Sequence, residues 1–442
     1  MRAAEWLLLA VAIGVSQSPA TATAESVAAA DDESFAAHGQ FTYVEQETSG
    51  FNAPYSGKNS LSPNRGAETA DATLYLGARL WQGAEGWING ELDQGFGLDD
   101  TLGVAGFPSG EAYKVGKNQP YLRMPRLFVR QTLNLDDSRR PFDAAANQLS
   151  GSRSDNRIVV TLGKFSVADI FDTNQYAHDP RGDFLNWAAI DAGTFDYAAD
   201  AWGYTVGTAI EWYQNSWTVR GGLFDLSDIP NSAHLDPGFH EFQSIAELEK
   251  RHEIAGRAGR LLLTVFDSRG RMGLLDDAVA LADATGEPVD IAAVRKYRDR
   301  AGVSMNLQQQ LTSDLGAFVR LGKAGGNVEP YEFTDIDRTV SGGLSLQGTP
   351  WHRADDTLGL AAIDNGISAT RERYLNAGGL GILVGDGRLP HPGPEQIIET
   401  YYSLAVLKVA HVSVDYQWIN HPAYNRDRGP VSLIALRLHA QF

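Results

Sequence analysis

Cysteine is absent from the 442 residues, which removes disulfides, thiol catalysis, thiolate zinc sites and iron–sulfur clusters together. Positive charge is scarce: 37 Lys and Arg stand against 55 Asp and Glu, a formal charge of -18. A nucleic-acid-binding chain would normally be basic, so that class is disfavoured. Proline is sparse, 18 against 46 glycines, which argues against collagen or a proline-rich linker protein. Long apolar runs are missing as well. The stretch Leu7 to Val15 (LLLAVAIGV) falls short of the ~20 residues a helix needs to cross hydrocarbon. It follows Arg2 and precedes Ala22-Thr23-Ala24, the arrangement of an export signal cleaved after Ala24.

What is present is enough to fold: 43% of residues are hydrophobic and 10% aromatic, too rich for a disordered acidic chain. An exported chain without a membrane helix is either a soluble β-protein or an outer-membrane barrel. Residue alternation favours the barrel, whose strands turn apolar residues to lipid and polar ones to the lumen. From Ala410, the even positions Val412, Val414, Tyr416 and Trp418 are apolar or aromatic and the odd positions His411, Ser413, Asp415 and Gln417 are polar. Ile434, Leu436, Leu438, Ala440 and Phe442 repeat the pattern against Arg437, His439 and Gln441. Ala301 to Gln308 and Tyr204 to Trp212 alternate in the same way, with Tyr204 on the apolar parity. These are strands by period. A soluble sandwich would not need so regularly polar a second face.

The expected fold is an all-β, sixteen-stranded antiparallel transmembrane barrel. Its strands are predicted at 40–46, 70–81, 86–94, 126–135, 157–164, 203–213, 216–225, 245–254, 259–267, 298–311, 315–323, 337–347, 356–364, 397–407, 410–419 and 431–442. Residues 1–24 are then a signal peptide, 25–39 an N-terminal periplasmic segment and 40–442 the barrel. Short connections at 82–85, 214–215, 255–258 and 312–314 alternate with long ones at 95–125, 165–202, 268–297 and 365–396. Short turns belong to the periplasmic side and long loops to the exterior. The exception is 136–156, a long polar connection on the short side. Helical turns are expected at 167–174 and 183–191, and two helices broken at Gly286-Glu287-Pro288 over 274–294.

Strand parity turns Arg79, Arg130, Arg220, Arg320 and Arg437 to the lumen, with Glu91, Asp93, Glu211, Glu399 and Asp415. An arginine facing mid-bilayer lipid costs ~2–4 kcal/mol in a barrel, so these charges belong inside. Planar guanidiniums suit hydroxyl-rich solutes, and Tyr75, Trp87 and Tyr401 can stack on sugar rings. The bland alternative is that the charges form ion pairs of the wall. Catalytic motifs do not assemble: no G-x-S-x-G, H-E-x-x-H, Walker or G-x-G-x-x-G sequence occurs, and no enzyme activity, cofactor or metal is expected. His178, His234, His240 and His391 lack metal-ligand spacing.

The stretch GKFSVADIFDTNQYAHDPRGDFLNW at Gly163 to Trp187, FDYAADAWGY at Phe195 to Tyr204, LPHPGPEQIIETYYS at Leu389 to Ser403 and the ending from Val414 to Phe442 resemble the OprB family of carbohydrate-selective porins. The resemblance covers essentially the whole mature chain. It implies a sixteen-stranded outer-membrane barrel for diffusion of mono- and small oligosaccharides, narrowed by loops folded into the lumen. The polar segment Asp172 to Trp187, stiffened by Pro180 and carrying Asp179 and Arg181, is a candidate constriction. The candidate solute-binding residues are therefore Arg79, Arg130, Arg220, Arg320, Glu91, Asp179, Arg181 and Trp87. Expected partners are small carbohydrates and outer-membrane lipid, not nucleic acid, and a homo-oligomer stays open. The other open readings are a barrel-borne enzyme and a soluble exported carbohydrate-binding protein.

Overall fold

The structure, a computed structural model, describes residues 33–112 and 115–442, so the expected signal peptide lies outside the described residues. Sixteen antiparallel strands form a closed barrel. In chain order they are β1 (Phe35–Thr48), β2 (Gly66–Trp81), β3 (Ala84–Gly95), β4 (Lys117–Asn134), β7 (Arg157–Phe165), β8 (Thr205–Gln214), β9 (Trp217–Asp225), β10 (Phe242–Ile254), β11 (Arg257–Met272), β12 (Lys296–Gln310), β13 (Leu315–Ala324), β14 (Arg338–Gly348), β15 (Arg353–Gly366), β16 (Glu395–Leu407), β17 (Ala410–Asn420) and β18 (Val431–Gln441). Two short strands, β5 (Arg140–Phe142) and β6 (Gly151–Arg153), pair with each other in a separate sheet. That hairpin accounts for the anomalous connection at 136–156. β18 pairs with β1 to close the barrel, and Phe442 exchanges backbone hydrogen bonds of 2.7 and 2.9 Å with Gly39.

Each of the sixteen expected segments falls within or across a strand of the wall, but several boundaries move. β1 begins at Phe35, inside the segment expected to precede the barrel. β11 continues to Met272, which shortens the following loop. β8 begins at Thr205, so Tyr204 leaves the lipid-facing row assigned to it and is buried on the inside. The largest change is in β4, which starts at Lys117 and not at 126. Pro120 and Pro125 read as loop in the sequence because proline cannot donate to a ladder. In the barrel Pro125 sits at a bulge: Asn89 pairs with Arg126 and Glu91 with Arg123, so three steps on β4 oppose two on β3. An extra residue reverses side-chain parity. Leu122 and Met124 therefore face out before the bulge and Leu127 and Val129 after it, while Arg123 and Arg126 both face in.

The outer face is apolar: Leu122 is 77% exposed, Leu162 62%, Ile434 59% and Val414 57%. Trp81, Trp212 and Trp217 are exposed at the short-turn end, where an aromatic girdle meets the headgroups. A soluble sandwich would bury these side chains. The core is instead inside the barrel, where long loops fill the outer half of the lumen. Asn186 caps α1 (Trp187–Ile190) by accepting from the Ala188 amide. Phe184 packs edge-on against Tyr401 of β16 with ring centroids 5.0 Å apart, and Trp187 stacks on Phe107 at 5.0 Å. On the outside, α2 (Leu275–Thr285) ends at Gly286 in the left-handed conformation. Only a short 3-10 turn, Ala292–Val294, follows where a second helix was expected. α3 (Ala369–Asn376) meets α2 through a 2.8 Å pair between Arg373 and Asp276.

Candidate functional site: a charged neck above an arginine-lined vestibule

The loop 166–204 turns into the barrel because its polar backbone is answered from the wall. Arg437 on β18 donates to the carbonyls of Pro180 (2.5 Å) and Asp183 (2.7 Å). Arg320 on β13 donates to Ala189 (2.7 Å) and Ala177 (2.8 Å). Glu399 on β16 accepts the amides of Leu185 and Asn186 at 2.5 and 3.2 Å. Buried backbone groups need such partners in a non-helical segment.

On the opposite wall, β2, β3 and β4 present Asp71, Glu91, Asp93, Arg123 and Arg126 to the free edge of this loop. Arg123 is ion-paired with Glu91 and with Asp93. Arg126 binds Asp169 of the loop through two bonds of 2.6 and 2.8 Å. Both guanidiniums lie over the ring of Tyr204, at 5.0 and 4.9 Å from its centroid, and Arg123 also faces Trp202 at 5.7 Å. Arg181 reaches across from the loop tip to Glu111 (3.3 Å), Asp71 (3.8 Å) and Glu91 (3.9 Å). Of these groups Glu91, Glu111, Arg123, Arg181, Trp202 and Tyr204 border a narrow cavity of ≈ 80 Å³ that also meets Phe107, Trp187 and Phe333. Burial works against the charge of Arg181, but Glu111 and Asp71 outweigh it and hold the guanidinium firmly protonated. Burial pushes Glu111 up. For Asp179 desolvation is again outweighed, here by Arg181, and its carboxyl is held below the usual range.

Beneath the neck, toward the short turns, lies a polar vestibule of ≈ 700 Å³. Asp169, the partner of Arg126, lines this vestibule. Arg79, Arg130 and Arg220 are here. Arg130 pairs with Glu85 at 2.8 Å, Arg79 donates to the carbonyls of Glu33 and Ser150, and Arg220 is bound to Glu211, Glu247 and Glu249 at 3.0, 2.8 and 2.9 Å.

The eight expected solute-binding residues are thus not one cluster. Glu91 and Arg181 line the neck, Asp179 is exposed on the loop and accepts the Arg181 amide at 2.9 Å, and Arg79, Arg130 and Arg220 line the vestibule. Arg320 is 0% exposed, with Asp172 at 3.2 Å, and serves as a clamp on the loop. Trp87 is buried and stacked beside His38. Sequence reasoning missed Arg123, Arg126, Asp169, Glu111, Trp202 and Tyr204. The two arginines were hidden by the unrecognised start of β4, and the others by loops whose packing is non-local. The signal that could have found them is the pair Arg123 and Arg126 flanking a proline in a segment otherwise rich in strand formers.

The histidines behave as loop side chains: His178 bonds the carbonyl of Ala168 at 3.0 Å and His391 pairs with Asp427 at 2.8 Å. Asp236, His240 and Glu241 cluster on the loop 226–241, but the Asp236 carboxylate is occupied by the amides of Gly238, His240 and Glu241. It is a turn cap.

The family model of carbohydrate-selective porins of the OprB family matches residues 58–442. No curated protein sequence matches the chain. Among solved structures, Pseudomonas putida OprB at high pH superposes with a TM-score of 0.69 at 15% identity, covering 92% of this chain and 94% of that one. Its low-pH structure gives 0.48 at 12% identity, covering 92% and 93%. Pseudomonas aeruginosa OccK11 gives 0.46 at 10%, covering 92% and 96%. The first of these supports the fold. With an apolar exterior, a lumen narrowed by an inward loop and a family match over most of its length, the chain belongs to the OprB family of carbohydrate-selective porins of the outer membrane.

Proposed function

We propose that sugars are sorted at the neck, with Arg123, Arg126, Arg181, Glu91 and Asp179 as hydrogen-bonding groups and Tyr204 and Trp202 as ring faces. The observation that carries this reading is the interleaving of guanidiniums and carboxylates around Tyr204. Arginine offers several N–H donors in a fixed plane and carboxylates accept, so together they answer the mixed donor–acceptor hydroxyls of a sugar. Opposite charges in close contact leave little net field for a small ion, so a neutral hydroxylated solute is favoured over either ion sign. Each hydrogen bond contributes ~0.5–1.5 kcal/mol net. Three or four of them give ~4 kcal/mol, which corresponds to millimolar binding. That is weak enough for a solute to leave again. The protein is a channel and carries out no chemical step on its cargo.

The test is reconstitution, with planar-bilayer conductance recorded alongside liposome swelling in sugars of increasing size. Glucose should enter and block ion current in the millimolar range, with entry falling for longer oligosaccharides. Arg181→Ala should raise the half-blocking sugar concentration about tenfold, equivalent to one or two lost hydrogen bonds, and should raise conductance. Unchanged block in this variant and in Arg123→Ala would refute the neck as the sorting site.

A further inference from the structure

The vestibule carries charge that the neutral-sugar reading does not use. Seven arginines and three carboxylates line it, a difference of +4 inside a chain of net -18. Some of that positive charge is answered by the wall: Arg220 by three glutamates, Arg130 by Glu85 and Arg260 by Glu249 at 3.4 Å. Four guanidiniums are not. Among the described residues, Arg79, Arg139, Arg153 and Arg157 have no carboxylate within ion-pair range, and their hydrogen-bond partners are carbonyls and one amide oxygen. Arg153 sits over the ring of Phe142 at 4.3 Å and Arg157 over that of Tyr213 at 3.7 Å. These cation–π contacts hold each guanidinium in place without neutralising its charge. The buried Nε of Arg157 and of Arg260, both on the vestibule lining, have no hydrogen-bond partner. A buried donor left unmet is unfavourable, which adds to the unanswered positive charge of this wall.

We propose that the periplasmic vestibule is a binding site for anionic carbohydrates, sugars that bear a carboxylate or a phosphate, held chiefly by Arg153 and Arg157 with Arg79 and Arg139 at its edge. An anion supplies the missing counter-charge, and planar guanidiniums match either acid group through paired N–H contacts. The cavity volume of ≈ 700 Å³ lies within the ~300–1,000 Å³ range of small-molecule sites. The remaining hydroxyls of the sugar meet Glu85, Gln148 and Ser152, which line the same space. The site rests on the reading of the neck as the sugar filter, and it adds a preference for acidic sugars on the inner side of that filter.

The experiment compares current block by glucose, glucuronate, glucose 6-phosphate and inorganic phosphate added from the periplasmic side of single channels. Glucuronate or glucose 6-phosphate should block at concentrations about tenfold below glucose, the scale of one added charge-assisted contact. In an Arg153→Gln/Arg157→Gln variant that preference should vanish and the zero-current potential in a KCl gradient should move toward cations, while glucose-driven swelling persists. Arg139→Gln, on the exposed hairpin, should weaken the preference by a smaller factor without touching the wall, and covers the case in which the double variant does not assemble. A wild type that passes glucose but blocks equally with acidic and neutral sugars overturns this inference and leaves the neck reading intact. Retention of the acid preference in both variants overturns it as well. Block by inorganic phosphate as strong as by glucose 6-phosphate would reject a carbohydrate site in favour of a bare anion site. A wild type that admits no glucose fails at the neck instead.

Discussion

Arg320 and Arg181 both point into the lumen, yet their surroundings give them different work. Arg320 is fully enclosed, holds three loop carbonyls and stands beside the equally buried Asp172 carboxylate. Removing it strands a buried carboxylate, a change that costs ~3–5 kcal/mol. Arg320→Ala should therefore lower the temperature at which the heat-modifiable barrel band is lost on gels and should make open-channel current noisier. A variant of wild-type thermal stability would show that the clamp is dispensable. The carboxyls of the same loop add a pH dependence with two signs. Burial opposes ionisation of Asp169, but its Arg126 partner outweighs burial and depresses the carboxyl below its usual value. Its contribution is present above the ordinary carboxylate range and is lost as pH falls through the folded value. Asp191 is pushed up to about 6 by burial, with His178 opposing. The folded loop binds that proton more readily than the unfolded chain does, so stability rises as pH falls through about 6. The loop should be firmest near pH ~4, around the ordinary carboxylate value, where the Asp191 gain is complete and the Asp169 loss has only begun. Channel noise recorded from pH 8 to 3 should pass through a minimum there, and a monotonic trend would contradict the assignment.

The elements show which parts of the molecule a local pattern can reveal. β17 and β18 alternate without interruption, so period two located their lumen-facing Asp415 and Arg437 correctly. β4 could not be read in the same way, because its bulge breaks the alternation at the position where the neck needs two arginines. The loop 166–204 was legible as polar and proline-stiffened. Its insertion into the barrel was not, because the groups that hold it, Arg320, Glu399 and Arg437, lie more than a hundred residues away in the chain. Asp179 and Arg181 were found from composition, whereas Asp169 became a site residue only through Arg126. The bulge itself can be tested. Deleting Pro125 removes the extra residue, so a regular ladder keeps Arg123 and Arg126 on the lumen side and Met124 and Leu127 on the lipid side. Heat-modifiable barrel should therefore still form in normal yield, while the shortened step between the two arginines should alter sugar block. Loss of the barrel would mean that β4 needs the bulge to reach its register.

For the whole molecule, the net charge of -18 and the charge that a permeating solute meets are different quantities. Many of the acids stand on outer loops, such as Asp283 and Glu287 at the end of α2, both exposed. Inside, the neck pairs its acids with Arg123, Arg126 and Arg181, and the vestibule is positive. Ions at physiological salt screen exposed charges beyond ~8 Å, whereas at 0.01 M the screening length grows to ~30 Å. Charges lining a narrow, low-dielectric passage are screened far less. Selectivity between small ions should therefore follow the lining at high salt and pick up the loops only when salt is low. In an Asp283→Asn/Glu287→Gln variant, the zero-current potential across a KCl gradient should match the wild type at ~0.15 M and shift away from cations at ~0.01 M. Equal shifts at both salt concentrations would place the outer loops in the path of the ions themselves, and the lumen lining would lose its standing as the charge that decides.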